Sequence, residues 1–184
     1  MGLWIVLALA VLIGLSAIAT FNGLVARRNR VKNAWAQIDV QLKRRHDLIP
    51  NLVDTVKGYL RHEREVLEKV TTARQQAIAA GGDVTGRAAA ENTLTQAMRS
   101  LFAVVENYPE LKSSPNMLAL QEELSSTENK VAFARQFYND SVMEYSTACE
   151  SFPGNLLARS FGFAPEAVFT LEDPTQRAVP QVQF

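Results

Sequence analysis

Side chains that carry chemistry are scarce in this chain. Its 184 residues include one cysteine, Cys149, and two histidines, His46 and His62. A single cysteine excludes an intrachain disulfide framework and a cysteine-rich zinc site. The histidines fall sixteen residues apart on separate expected elements, which sets them roughly 20 Å apart along a helix, too far to share a metal. His62-Glu63 lacks the second histidine of the HExxH zinc motif, and no Glu-x-x-His of the carboxylate metal bundles occurs. The glycine cluster at 81–86 is not a GxxxxGK[ST] phosphate loop, and no Gly-x-Ser-x-Gly elbow is present. Cys149 reads as a small buried thiol and both histidines as solvated or capping groups. No catalytic residue, metal or cofactor is expected.

The largest absence is of charge. Residues 1–26, MGLWIVLALAVLIGLSAIATFNGLVA, contain no Asp, Glu, Lys, Arg or His. At 1.5 Å per residue, a helix from Gly2 to Phe21 crosses a hydrocarbon core of about 30 Å. A signal peptide would begin with basic residues and have a shorter apolar core, although Ser16-Ala17-Ile18-Ala19 resembles a small-x-small cleavage site. An uncharged run of this length with no polar stripe also argues against the core helix of a soluble domain. The expected anchor is therefore a single membrane-spanning helix. Ala10 and Gly14 form a small-x-x-x-small pair along it, which makes a homo-oligomer one candidate assembly.

A basic stretch succeeds the apolar run: Arg27, Arg28, Arg30 and Lys32 lie within six positions. Lys and Arg beside a spanning helix stay cytoplasmic. The expected topology is single-pass in a bacterial cytoplasmic (inner) membrane, with the N-terminus outside and the domain in the cytoplasm. These four residues are the expected headgroup contacts, so the lipid bilayer is the first partner. The formal charge is zero, but residues 1–75 hold twelve Lys/Arg against six Asp/Glu, and residues 76–184 hold seven against thirteen. Anionic lipid attracts such a basic half over about 10 Å. No nucleic-acid partner is expected, because zinc patterns and aromatic–basic interleaving are missing.

Behind the anchor, Val31, Trp35, Ile38 and Leu42 share a helix face. Asp47 and Pro50 suggest a turn over 46–50 and the start of a second helix over 48–80, with Gly58 inside it. Gly81–Gly86 separates it from a third helix over 87–108, capped by Asp83 or Thr85. Residues 109–115 form a connection, and Ser114 with Pro115 starts a fourth helix over 115–151. A short helical piece over 156–161 comes after Pro153-Gly154, with Asn155 as its cap. Short connections and the lack of strand-type alternation imply an all-α fold. It consists of an N-terminal transmembrane helix, an antiparallel up-and-down four-helix bundle and a short C-terminal helical segment. The expected divisions are an anchor over 1–26, a cytoplasmic bundle over 27–169 and a flexible tail over 170–184. Phe161, Phe163, Val168 and Phe169 are expected to cover one end of the bundle. Arg44, Arg45 and Asp47, at the expected membrane-distal end of the first helix, are the candidate partner surface.

Residues 31–59, VKNAWAQIDVQLKRRHDLIPNLVDTVKGY, resemble the signature segment of the LemA family of bacterial proteins. The flanks agree: Phe21-Asn22-x-Leu24-Val25-x-x-Arg28-Asn29 before it, and His62-Glu63 and Ala73-Arg74 after it. PGNLLARSFGF at 153–163 resembles that family's closing motif, and Phe21 stands where the family often has tyrosine. The resemblance implies a single-pass membrane protein with a helical domain, no assigned active site or cofactor, and a role in envelope maintenance or quality control. Two functions compete. One is a non-enzymatic scaffold or adaptor that binds another membrane or envelope protein. The other is a membrane-tethered hydrolase with its site between bundle helices.

Overall fold

The computed structural model describes residues 1–60, 63–81 and 83–170. It contains six helices, and no strand is present among the described residues: α1 Gly2–Lys57, α2 Arg64–Ala79, α3 Val84–Val105, α4 Pro109–Lys112, α5 Pro115–Glu150 and α6 Gly154–Phe161. His62 and residues 171–184, the expected tail after its first position, lie outside the described residues.

The clearest departure from expectation is the missing turn at 46–50. A single 56-residue helix, α1, runs through it with Pro50 inside. Gly58 lies in the turn after that helix, not within a second one. Pro50 has no N–H to offer the carbonyl of His46, four residues back. Arg74 of α2 supplies the donor instead, with Nε 2.7 Å from that oxygen. The hydrophobic spacing also continues across the proline: Ile38, Leu42, Ile49, Leu52 and Val56 are all buried at alternating steps of three and four, with Arg45 occupying the intervening position.

Other boundaries lie close to those expected. Asp83 caps α3, accepting from the Gly86 amide at 3.0 Å, so that helix begins three residues earlier than predicted. The expected connection after it holds one helical turn, α4. Ser114 receives the Met117 amide at 3.2 Å, and Pro115 occupies the first turn, where its missing donor costs nothing. Along α5, Thr127 and Ser141 fall in the buried stripe. Each hydroxyl donates to the carbonyl one turn back, Glu123 at 2.8 Å and Phe137 at 2.7 Å, which satisfies a group that would otherwise be costly to bury.

The chain forms two compact units. One comprises Met1–Asp39 and Phe133–Val168. Within it, Trp35 packs on Tyr138 with ring centroids 5.3 Å apart, Arg30 pairs with Glu144 at 2.9 Å, and the Tyr138 hydroxyl donates to the Ala167 carbonyl at 2.8 Å. Burial, aided by a hydrogen bond with Cys149, pushes the Tyr145 phenol up to about 12. The second unit comprises Val40–Ala132, and Phe169 belongs to it. Its core is built from Leu48, Ile49, Leu52 and Val56 of α1, Val70 and Ala73 of α2, Leu94, Met98 and Leu101 of α3, and Met117 and Leu124 of α5. The first 18 residues stand apart from either core: they are exposed except for a half-buried Ala17, and an 18-residue window of α1 reaches a mean hydropathy of 2.5 with none of it buried. This run is a candidate membrane anchor.

Candidate functional site

The second unit holds a cluster of buried charge. Arg45 is 2% exposed, His46 5% and Glu91 1%. Arg45 and His46 sit on α1 in phase with its apolar stripe, and Glu91 sits on α3 between the buried Ala88 and Leu94. Glu91 engages both partners at once: Oε2 accepts from Arg45 Nη1 at 3.1 Å, and Oε1 lies 2.7 Å from His46 Nε2. The second guanidinium nitrogen, Nη2, reaches Thr95 Oγ1 at 2.8 Å and Glu128 Oε1 at 2.9 Å. It also lies 3.8 Å from the Met98 sulfur. The Thr95 hydroxyl donates back to the Glu91 carbonyl at 2.9 Å.

These contacts correct two sequence expectations. Arg45 is not a surface residue beside Arg44: it points into the core, one position around the helix, and is compensated there by two carboxylates. His46 is neither solvated nor a cap. Its ring is tied to α3 through Glu91, and its carbonyl to α2 through Arg74. Glu91 itself was missed. The signal for it is a carboxylate in register with an apolar stripe, Ala88, Leu94, Met98 and Leu101, facing an arginine in register with another.

The remaining candidates are exposed and engaged. Arg44 donates to Glu123 of α5 at 2.9 Å, with both side chains nearly half exposed. Asp47 receives Lys43 one helical turn back at 2.7 Å, and that hydrogen bond holds its carboxyl below the usual range. Of the basic residues after the apolar run, Arg27 reaches back to the Gly23 carbonyl at 3.2 Å. The Arg28 guanidinium lies 5.0 Å over the Phe163 ring, and that of Arg30 lies 5.9 Å over the Phe137 ring. Lys32 is exposed. Elsewhere in the second unit, the Tyr108 hydroxyl donates to Glu63, which raises the phenol above its ordinary range.

A buried Arg–Glu–His set can serve catalysis or structure. Here each oxygen of Glu91 already has a cation or imidazole against it. Two open grooves lie elsewhere. One, of about 850 Å³, is lined by Lys57, Leu60, Arg64, Glu68 and Gln75 among others; one of about 540 Å³ runs along α2 and α3 past Lys69, Gln76, Thr93 and Ser100. Neither is lined by Arg45, His46 or Glu91. The arrangement joins helices: one carboxylate on α3 gathers two consecutive side chains of α1, and Arg45 extends the link to α5.

Comparison with known proteins bears on the same residues. The sequence pattern of the LemA family matches residues 34–184, which includes the whole cluster. The chain is similar to Protein LemA of Metamycoplasma hominis, 26% identical over 148 residues, 80% of this chain and 68% of that protein. It is also similar to Magnetosome protein MamQ of Magnetospirillum gryphiswaldense, 23% identical over 188 residues, 86% of this chain and 69% of that protein. Magnetosome protein MamQ 2 of Paramagnetospirillum magneticum is 24% identical over 168 residues, 78% of this chain and 62% of the relative.

Proposed function

The chain belongs to the LemA family, and from that premise we propose that it is a membrane-anchored, non-enzymatic scaffold whose helical domain binds another membrane or envelope protein. The observation that carries this reading is the continuity of α1. The apolar run and the stripe that builds the second unit's core are parts of one helix, Gly2–Lys57. A ligand bound by the domain is thereby tethered to the membrane. The buried Arg45–Glu91–His46 set supports the non-enzymatic side of the reading, since its polar atoms are used to join helices. The bilayer is the cytoplasmic membrane of a bacterium, with the domain on the side of Arg27, Arg28, Arg30 and Lys32.

Exposed Arg44 and Asp47 remain the proposed partner surface. Both are already engaged by neighbours on the surface, and exposed ion pairs of this kind contribute only about 0–1 kcal/mol, so a partner can displace them at little cost. Photocrosslinking from Arg44 in native membranes, with identification of the trapped chain, tests the proposal. A reproducible adduct with one membrane or envelope protein is expected. Reproducible absence of any adduct, from this position and from Asp47, would reject the adaptor.

A further inference from the structure

We propose that α6 is a second membrane contact, lying in the headgroup region beside the point where α1 leaves the bilayer; the inference rests on the reading of residues 2–21 as a membrane-spanning segment. Three large apolar side chains in or next to α6 face outward: Phe152 is 79% exposed, Leu156 58% and Phe161 60%. Their place in the fold gives them an occupant. The Phe161 ring packs edge-on against Phe21 with centroids 5.0 Å apart, and Phe163 does the same at 5.6 Å. Phe21 is the last residue of the Gly2–Phe21 stretch on which the anchor reading depends. The exposed patch is thus continuous with the end of the anchor.

The orientation of α6 is set by its two ends. At its start, a Cβ built on Gly154 would lie 4.0 Å from Leu24 Cδ2 and only 2.1 Å from the Ala148 carbonyl oxygen. The absence of a side chain is what lets this end close onto α5 and α1. At its finish, Phe161 meets Phe21. Gly162, at φ 69°, then terminates the helix, with its amide on the Ala158 carbonyl. From Gly154 to Phe161 a helix advances about 10 Å, whereas from Phe21 to Leu24 it advances only about 4.5 Å. Both ends of α6 are therefore held against one turn of α1, Phe21 to Leu24, at the end of the anchor. Gly154 and Ala158 are buried, whereas Leu156 and Arg159 point away from them and are exposed; Phe161, seven residues after Gly154, returns to the Gly154 side and there meets Phe21 while staying 60% exposed. Exposed Phe152, Leu156 and Phe161 beside the end of a membrane span, together with the cation Arg159, have the composition of an interfacial element. Arg27 and Arg28, one to two turns above Phe21, add positive charge at the same level, which favours an anionic lipid surface.

Depth measurements on the full chain in phosphatidylcholine–phosphatidylglycerol vesicles test this. Single cysteines at Phe152→Cys and Leu156→Cys replace exposed side chains, and the unmodified chain, whose Cys149 is buried, gives the labelling background. An NBD fluorophore at either position is expected to be quenched by nitroxide-bearing lipid at least about twofold more than one at Asp140→Cys, and to be shielded from aqueous dithionite. A label at Leu12→Cys reports the anchor. If the labels at 152 and 156 react with dithionite as fast as that at 140 while the label at 12 is lipid-quenched, α6 stands in water and the proposal is wrong, with the anchor intact. If the label at 12 is also in water, the anchor reading fails and the proposal goes with it. Agreement between the two α6 positions guards against local disruption by either substitution.

Discussion

Arg45 and Glu91 are each more costly to lose singly than together. Removing the guanidinium alone strands a carboxylate that is 1% exposed, and breaking a buried pair in this way costs about 3–5 kcal/mol. Replacing both partners by apolar groups of similar volume removes the stranded charge with its cause. Glu128 does not reverse this argument, because its side chain is 42% exposed and can turn to water. Arg45→Met should therefore lower the urea midpoint of the domain in the detergent-solubilised full chain by the equivalent of about 3–5 kcal/mol. Arg45→Met combined with Glu91→Leu should recover much of that loss. A double variant as unstable as the single one would mean that the cost is lost packing rather than unpaired charge.

At the scale of elements, the question is how α1 stays whole across Pro50. The imino acid removes one helical hydrogen bond, and its ring crowds the carbonyl four residues back. Arg74 Nε at 2.7 Å from the His46 carbonyl replaces the missing donor from a different helix. Arg74→Met keeps the aliphatic stem and leaves that carbonyl unpaired, a loss of about 1–3 kcal/mol when buried. In a Pro50→Ala background the new amide fills the carbonyl, and the same substitution should cost distinctly less. Chemical denaturation of the four chains closes the cycle, and equal losses in both backgrounds would show that Arg74 acts through something other than this carbonyl. The same contact explains why a sequence reading places a turn here. Local rules see a proline after Asp47 and end the helix; the rescuing donor is 28 residues away and belongs to no local pattern. The three-and-four spacing from Ile38 to Val56 does signal a continuous helix, but only when Arg45 is accepted as a core position. Elements with local punctuation were legible: Asp83 before α3, Ser114-Pro115 before α5, and Pro153 and Gly162 around α6. In the site, the exposed Arg44 and Asp47 could be read from helix position, whereas Glu91 required knowing which helix would face Arg45.

For the whole molecule, the asymmetry that bears on orientation is charge. Residues 1–26 contain no Asp, Glu, Lys, Arg or His, and four cations lie within eleven residues after Phe21. Their fixed contacts are light. The Arg30–Glu144 pair is 55% exposed on both sides, where ion pairs contribute about 0–1 kcal/mol. Arg27 reaches only its own helix. Arg28 covers Phe163, so its aliphatic stem contributes packing as well as charge. Replacing Arg27, Arg28, Arg30 and Lys32 together by glutamine should therefore leave the helices formed while removing the charge bias on which the proposed topology depends. The expected outcome is a mixed population, read as a fraction of the domain becoming digestible by protease added to intact spheroplasts, with an unchanged helical signal from the purified variant. Of the four single substitutions, that of Arg28 should cost the most stability, since its guanidinium lies closest over a ring, 5.0 Å from the Phe163 centroid against 5.9 Å for Arg30 and Phe137. A fourfold variant whose domain stays wholly protected would place the determinant of orientation outside these four cations.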